Sequence, residues 1–247
     1  MLIDQFPEDT FVFIDVESTD IPGPMQGLLN FALHFYRLDE KLRFESLDQY
    51  DFHICPEAYW TYKEDRYGLV NIKKALIHAR KRKAQGEHNF TTLREMWIED
   101  NESVILREEE VALLVKEIFR KYTPKSNPYK KLIPVGFKIT YDFESFRYFL
   151  KRQRYPYLYA HMHPMLIEVA SFAAAVLAFP TVCPDMNINK LAGTQNLKLS
   201  TLCKYFDIEV NEDLRHTANY DLFITLRLFE ECINKLTRNR LWYNNSQ

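Results

Sequence analysis

The stretch that decides the fold is Phe11-Val12-Phe13-Ile14-Asp15-Val16-Glu17-Ser18-Thr19-Asp20. Its first four residues are aromatic or β-branched, which is typical of a strand buried on both faces. Asp15 and Glu17 follow two residues apart, so in a strand both carboxylates project from one face, about 7 Å apart along the chain. Buried ionised carboxylates need a compensating partner, and a divalent cation is the simplest one. The alternative is that the strand ends at Ile14 and both acids face water.

Composition limits the class of protein. A chain of 247 residues with 47% apolar and 27% charged residues is long enough to bury the core of one globular domain. The formal net charge of −2 argues against a protein that coats nucleic acid through bulk positive charge. It is compatible with an enzyme that grips only the end of a strand.

Cysteine usage and hydropathy indicate a cytoplasmic protein. The four cysteines form no C-x-x-C pair, which favours reduced thiols. Residues 1–5 lack a basic segment followed by an apolar one, so no signal peptide is expected. The most apolar stretch, 165–179, contains Glu168 and is shorter than the roughly 20 residues that a membrane-spanning helix needs.

The early part of the chain predicts an antiparallel meander of three strands. Apolar and aromatic residues fill Leu28–Leu38, and 50–54 alternates between polar and apolar residues as a half-exposed strand does. Residues 57–101 are rich in charge and poor in strand signals, so we interpret them as a mainly helical insertion within a single domain, 1–247. The basic run 80–83 is a solvated helix face or a patch that contacts a phosphate backbone.

The later part alternates helices with strands. An apolar stripe predicts a helix over Glu108–Tyr122, and a short strand over 132–137 precedes a helix from Asp142 to about residue 153. The remaining expected elements are a short strand leading into a helix over 165–177, a helix over 197–206 with Ser200 as N-cap, and a long helix from its N-cap Thr217 to about residue 236.

Two further acids accompany predicted helix starts. Asp142 follows the strand 132–137, and Asp221 falls in the second turn of the last helix, with His216 just outside it. A carboxylate at a helix N-terminus is stabilised by about 0.3–1 kcal/mol by the backbone dipole, so capping is the alternative role of Asp142. Four acids and one histidine therefore lie at the ends of separate predicted elements.

Three motifs, in this order, resemble those of the DEDDh (DnaQ-like) family of 3′→5′ exonucleases. The first, D-x-E followed by two hydroxyl residues, is matched by 15–19. The second is a glycine after a strand, then an acid and a hydrophobic residue four positions later, here Gly136, Asp142 and Phe146. The third, H-x-A-x-x-D, is matched by 216–221, His-Thr-Ala-Asn-Tyr-Asp. Each motif alone is weak, whereas three in family order are specific.

The resemblance implies a ribonuclease-H-like α/β fold, with a mixed five-stranded sheet flanked by helices and a site at the end of the first strand. It implies hydrolysis of phosphodiester bonds at the 3′ end of single-stranded DNA or RNA, with two Mg²⁺ ions that Mn²⁺ can replace. Such hard cations prefer carboxylate oxygens. The implied metal ligands are Asp15, Glu17, Asp142 and Asp221. The implied general base is His216, since an ordinary histidine pKa of about 6.5 suits proton transfer near neutrality.

We expect four further residues to hold the substrate. Ser18 and Thr19 would position the 3′-terminal nucleotide, and Ile21 or the Phe143 ring would stack on its base. Asn30 departs from the family, which often has glutamate in the second strand.

Two other functions remain open. One is a non-catalytic nucleic-acid-binding module of the same fold, and the other is an exonuclease subunit that is active only with a partner protein. The intact set of four acids and a histidine favours the enzyme. No motif separates DNA from RNA, because that choice depends on how a site senses the 2′-hydroxyl.

Overall fold

The computed structural model describes residues 9–18, 27–55, 106–124, 130–178, 197–212, 214–215 and 217–244. The insertion predicted at 57–101, with its basic run, lies outside these residues. Its helical character and its role therefore stay predictions.

Six strands form one mixed sheet in the order β4-β3-β2-β1-β5-β6. They are β1 (Thr10–Ser18), β2 (Leu28–Leu38), β3 (Phe44–Cys55), β4 (Leu106–Arg107), β5 (Leu132–Gly136) and β6 (Ile167–Glu168). The first three form the predicted antiparallel meander, whereas β5 pairs in parallel with both β1 and β6, and β4 pairs in parallel with β3. The predicted α/β class is confirmed.

The predicted count of five strands is wrong by one. The additional strand is β4, and its two residues are too few to show any hydrophobic period. β3 also begins at Phe44, well before the expected residue 50. Its first half is mostly polar and resembles a loop in sequence, but residues 44–49 pair with residues 34–38 of β2. Here the tertiary context overrides local propensity.

Five α-helices flank the sheet within the described chain. They are α1 (Glu108–Tyr122), α2 (Ile139–Arg152), α3 (Val169–Ala178), α4 (Leu199–Tyr205) and α5 (Ala218–Asn244). One predicted N-cap is wrong, because α4 begins before Ser200 and its N-cap is Lys198. Thr217 directly precedes α5, as predicted, and its carbonyl accepts the Asp221 N–H at 2.9 Å. Its hydroxyl donates to the Leu214 carbonyl at 2.9 Å.

The side chains of β1 alternate between two hydrophobic cores. Phe11 and Phe13 pack with residues of α3, α4 and α5, whereas Val12, Ile14 and Val16 pack with residues of α1 and α2. The sheet is thus the middle of three layers. Because alternation continues along the strand, Asp15 and Glu17 lie on the sheet face that α5 covers.

Cys203 is a buried free thiol, and burial raises the pKa of its side chain to about 12. A thiol in that state is a poor nucleophile. Among the described helices, none is both long and apolar enough to cross a bilayer.

Candidate active site

The first two acids lie near the C-terminal end of β1, at the centre of the sheet. In the ladder with β2, Asp15 lies opposite Ala32 and Glu17 opposite Asn30. β1 continues to Ser18, so the alternative in which the strand ends at Ile14 is wrong. Both acid side chains are half-buried. The strand therefore carries two carboxylates into a region of reduced water access.

A close approach between β5 and β1 brings in the third acid. A Cβ atom at Gly136 would lie 2.8 Å from the Ile14 carbonyl oxygen and 2.8 Å from Ile139 Cδ1. Only glycine fits there without displacing backbone. The chain then turns through Lys138, which has a left-handed φ of 58°, and starts α2. Asp142 follows in the first helical turn, with 5% of its surface exposed.

The fourth acid, Asp221, lies in the first turn of α5 rather than the predicted second turn. Asn30 docks this turn on the sheet, because its Oδ1 accepts the Ala218 backbone N–H at 2.8 Å. The Asn30 amide donates to Asp51 Oδ1 at 2.6 Å and to the Phe52 carbonyl at 3.1 Å. One buried amide thereby joins β2, β3 and the helix that carries Asp221.

A second contact from β2 reaches the same helical turn. His34 Nε2 lies 2.8 Å from Asn219 Oδ1. Its Nδ1 is buried and has no hydrogen-bond partner among the residues that the structure describes. Burial lowers the pKa of His34. Asn30 and His34 are four residues apart on one face of β2, so together they hold the start of α5.

The four acids act on one another electrostatically. The pKa of Asp15 is raised well above its usual value by burial first, and then by Asp142, Glu17 and Asp221. The pKa of Asp142 is likewise raised, chiefly by burial and by Glu17, although the Val16 backbone N–H that donates to it acts in the opposite direction. The structure thus brings the acids of all three motifs to one end of β1, where their negative charges repel.

A divalent cation would relieve this repulsion, and carboxylate oxygens are the donors that Mg²⁺ prefers. The donor chemistry of the site therefore fits such an ion. The side chains as they stand do not form a binding cluster, since no three acids, histidines or cysteines of the described chain lie close enough together to hold a metal. Asp221 instead accepts a hydrogen bond from Arg215 Nε at 3.2 Å.

The remaining predicted site residues have different placements. His216, Thr19 and Ile21 lie outside the described residues. Ser18 ends β1, and its hydroxyl lies 3.1 Å from the Tyr141 hydroxyl. Phe143 is only 4% exposed and packs on Tyr159, so its ring is not presented to solvent in this structure.

Several residues near the acids had no signal in the sequence. Tyr141 is 38% exposed and borders a cleft of about 530 Å³, which is lined by Lys138, Thr140, Tyr141, Glu144, Tyr148 and Glu168. Glu168 Oε1 accepts the backbone N–H groups of Lys138 and Ala170 at 2.8 and 3.0 Å, and so holds the turn before α2. Its position depends on the pairing of β5 with β6, which sequence spacing alone does not reveal.

Comparisons with known proteins rest on structure rather than on sequence. No protein-family model matches the chain, and no curated protein matches it in sequence. Solved structures of E. coli exonuclease I do match. The complex with a dA16 oligonucleotide superposes with a TM-score of 0.55 at 16% identity, covering 94% of this chain and 42% of that chain. The complex with a dT13 oligonucleotide gives 0.56 at 18% identity, covering 96% and 43%.

A third match is a structure described as an ExoI/SSB-Ct complex, with a TM-score of 0.53, 15% identity and coverage of 94% and 42%. The chain thus spans less than half the length of the exonuclease I chains that it matches. At these identities the likeness speaks for the fold. Exonuclease I is a DEDDh 3′→5′ exonuclease of the ribonuclease-H-like fold. The chain therefore has the fold of the DEDDh exonucleases that its three motifs resemble.

Proposed function

We propose that this chain is a metal-dependent 3′→5′ exonuclease that hydrolyses single-stranded DNA or RNA. The observation that carries the proposal is the convergence of acids from three separate motifs at the end of β1, with mutual repulsion that a divalent cation would relieve. The fold adds support, since exonuclease I with this fold has been solved with single-stranded oligonucleotides bound.

In this proposal Asp15, Glu17, Asp142 and Asp221 hold two Mg²⁺ ions, for which Mn²⁺ can substitute. When bound, such ions neutralise charge on the attacking and leaving oxygens of a phosphodiester. His216 accepts a proton from the attacking water, which requires the neutral imidazole. We therefore expect the rate to fall as pH drops below the histidine pKa, and a rate unchanged down to about pH 5 would argue against His216 as the base.

We propose that residues next to the acids at the end of β1 hold the 3′-terminal nucleotide. Ser18 and Thr19 would bind its sugar and phosphate groups, with Ile21 beside the base. Phe143 is buried, so we propose that the base of the terminal nucleotide stacks on the exposed ring of Tyr141 instead. The Tyr141 hydroxyl lies within hydrogen-bond distance of the Ser18 hydroxyl. Aromatic stacking of this kind contributes about 1–3 kcal/mol per base.

The test uses 5′-labelled single-stranded RNA and DNA oligonucleotides with Mg²⁺, with Mn²⁺ or with chelator. A metal-dependent ladder that shortens from the 3′ end, and that is lost in Asp221→Asn and His216→Ala, is the expected result. It would also reveal the preferred sugar. Glu117→Gln is the matched control, since Glu117 is an exposed acid on α1 whose side chain is 66% exposed.

Intact oligonucleotides under every metal condition would contradict the proposal in its simple form. Binding and reconstitution measurements would then distinguish the two alternative functions. Tight binding of the oligonucleotide without cleavage would indicate a binding module. Activity restored by an added protein would indicate a partner-dependent subunit. Exonuclease I, which has this fold, has been solved as an ExoI/SSB-Ct complex. We further propose a cytoplasmic location, because the four cysteines of the sequence form no C-x-x-C pair, which favours reduced thiols.

A further inference from the structure

One cation is in contact with the acids at the end of β1. Arg215 Nε donates to Asp221 Oδ1 at 3.2 Å, and the two side chains are only 12% and 11% exposed. Arg215 also lowers the pKa of the Asp15 carboxyl, so its positive charge acts on more than one of the four acids. A guanidinium is always charged, and it is more weakly hydrated than an ammonium group, which suits it to a partly buried ion pair.

This contact has a consequence for metal binding. A carboxylate whose Oδ1 accepts a hydrogen bond from a guanidinium is turned toward that cation, and it can offer this oxygen to a metal ion only when the hydrogen bond breaks. The described acids form no ready metal cluster while the contact is present. Both the arrangement and the charge of Arg215 therefore oppose the entry of a divalent cation.

We propose that Arg215 is an internal counter-ion, which neutralises the acids when metal is absent and competes with the metal for Asp221. The inference rests on the proposed function, because it takes the four acids as the metal ligands. Binding of the metal through Asp221 Oδ1 requires the guanidinium to leave that oxygen. An alternative partner is near, since Arg215 Nη1 lies 4.0 Å from the carboxylate of Glu212, which is 70% exposed.

The proposal predicts that removing Arg215 raises the affinity for metal, whereas removing a residue that merely supports Asp221 would lower it. If Arg215 only held Asp221 in place for the metal, removing it would weaken metal binding. As a competitor, its removal strengthens metal binding and destabilises the metal-free protein, in which the acids lose their counter-ion. The charge should matter more than the shape of the side chain.

The experiment is calorimetric titration of the chelator-treated full chain with Mn²⁺ and with Mg²⁺, without nucleic acid. We expect Arg215→Gln to bind Mn²⁺ roughly tenfold more tightly than wild type, the size of one charged hydrogen bond. Arg215→Lys, which keeps the charge, should stay near wild type. Arg120→Gln is the control, because it removes an exposed arginine paired with Glu117 on α1.

Thermal unfolding gives a second measurement on the same variants. The melting temperature of Arg215→Gln should fall in chelator and recover with Mn²⁺, so the gap between the two conditions widens relative to wild type. Equal or weaker Mn²⁺ binding by a folded Arg215→Gln would overturn the inference and leave the proposed function standing. A wild-type chain that binds no Mn²⁺ at all would overturn both.

Discussion

Two parts of this molecule bury acids, and they treat the charge in opposite ways. Glu108, at the start of α1, is 1% exposed, and its carboxylate accepts hydrogen bonds from Arg152 Nε at 3.1 Å, Arg152 Nη2 at 2.8 Å and Gln153 Nε2 at 2.9 Å. At the end of β1, by contrast, several acids face one another, and the pKa values of Asp15 and Asp142 are raised.

The difference separates a structural ion pair from a candidate reaction centre. The Glu108 cluster joins α1 to α2 and has its charge compensated within the protein. The acids of β1 raise the free energy of the folded chain, and a fold keeps such a cost where function requires it. Burial alone therefore does not identify a site, whereas buried charge with incomplete compensation does.

The largest expected effect comes from removing the charge of one acid on β1. Asp15→Asn keeps the size of the side chain and removes one charge, so nuclease activity should fall on the order of 10³-fold or more, because metal ions contribute several kcal/mol to the reaction. The metal-free protein should be at least as stable as wild type, since one repulsive charge is gone. Activity on labelled oligonucleotides and melting in chelator provide the measurements.

If Asp15→Asn instead lowered stability strongly and spared activity, the acids of β1 would be structural, like Glu108. Glu117→Gln serves as the control in both assays.

The next effect comes from removing the guanidinium partner of Glu108 on α1. Arg152→Ala leaves Glu108 buried without its guanidinium partner, which should lower the free energy of unfolding by about 3 kcal/mol. Chemical denaturation measures this loss. The rate per folded molecule should change little, because the pair lies in the core region of α1 and α2. A large loss of rate with unchanged stability would contradict the distinction between the two regions.

A smaller effect is expected from Asn30, and it tests how Asp221 is positioned by the contact between β2 and α5. Asn30→Ala removes the acceptor for the Ala218 N–H, so stability should fall by about 1–2 kcal/mol. Because the first turn of α5 carries Asp221, the maximal rate should also drop several-fold beyond what the lost stability explains. Asn234→Ala is the control, since Asn234 is an exposed amide on the same helix. Equal rates in the two variants would show that Asn30 has no positioning role.

The smallest effect concerns pH, where the two kinds of buried group have opposite signs. The pKa of His34 is lowered in the folded state, so the unfolded chain takes up its proton first as pH falls below about 6.5, and stability decreases. One such group changes the free energy of unfolding by at most about 1.4 kcal/mol per pH unit. The raised pKa of Asp15 works the other way, because acidification relieves its repulsion.

His34→Gln should therefore flatten the loss of stability between about pH 6.5 and 5, as measured by urea denaturation at several pH values in chelator. An unchanged slope would mean that His34 is protonated in the folded protein. Asp15→Asn in the same series should remove the opposing contribution, and its stability should fall more steeply on acidification than that of wild type.

Local pattern was sufficient for much of the fold. The bounds of β2 and α1 follow from apolar runs and helical period, and Gly136 occupies a place that a side chain would obstruct. Pattern failed where pairing across the sheet overrides propensity, as in the polar first half of β3. It also failed for β4, which is too short to carry a period, and it did not reveal that the acceptor of the Ala218 N–H at the start of α5 comes from β2.

The sequence alone predicted the side chains to which we assign the chemistry, because D-x-E on a buried strand, an acid after a glycine turn and H-x-A-x-x-D are local patterns. Only the tertiary structure decided what surrounds them. Three contacts illustrate this: Arg215 with Asp221, Asn30 with the first turn of α5, and Tyr141 with Ser18. The last two join residues that are more than 100 positions apart in the sequence. Such contacts depend on how the layers pack, and packing is a property of the whole chain.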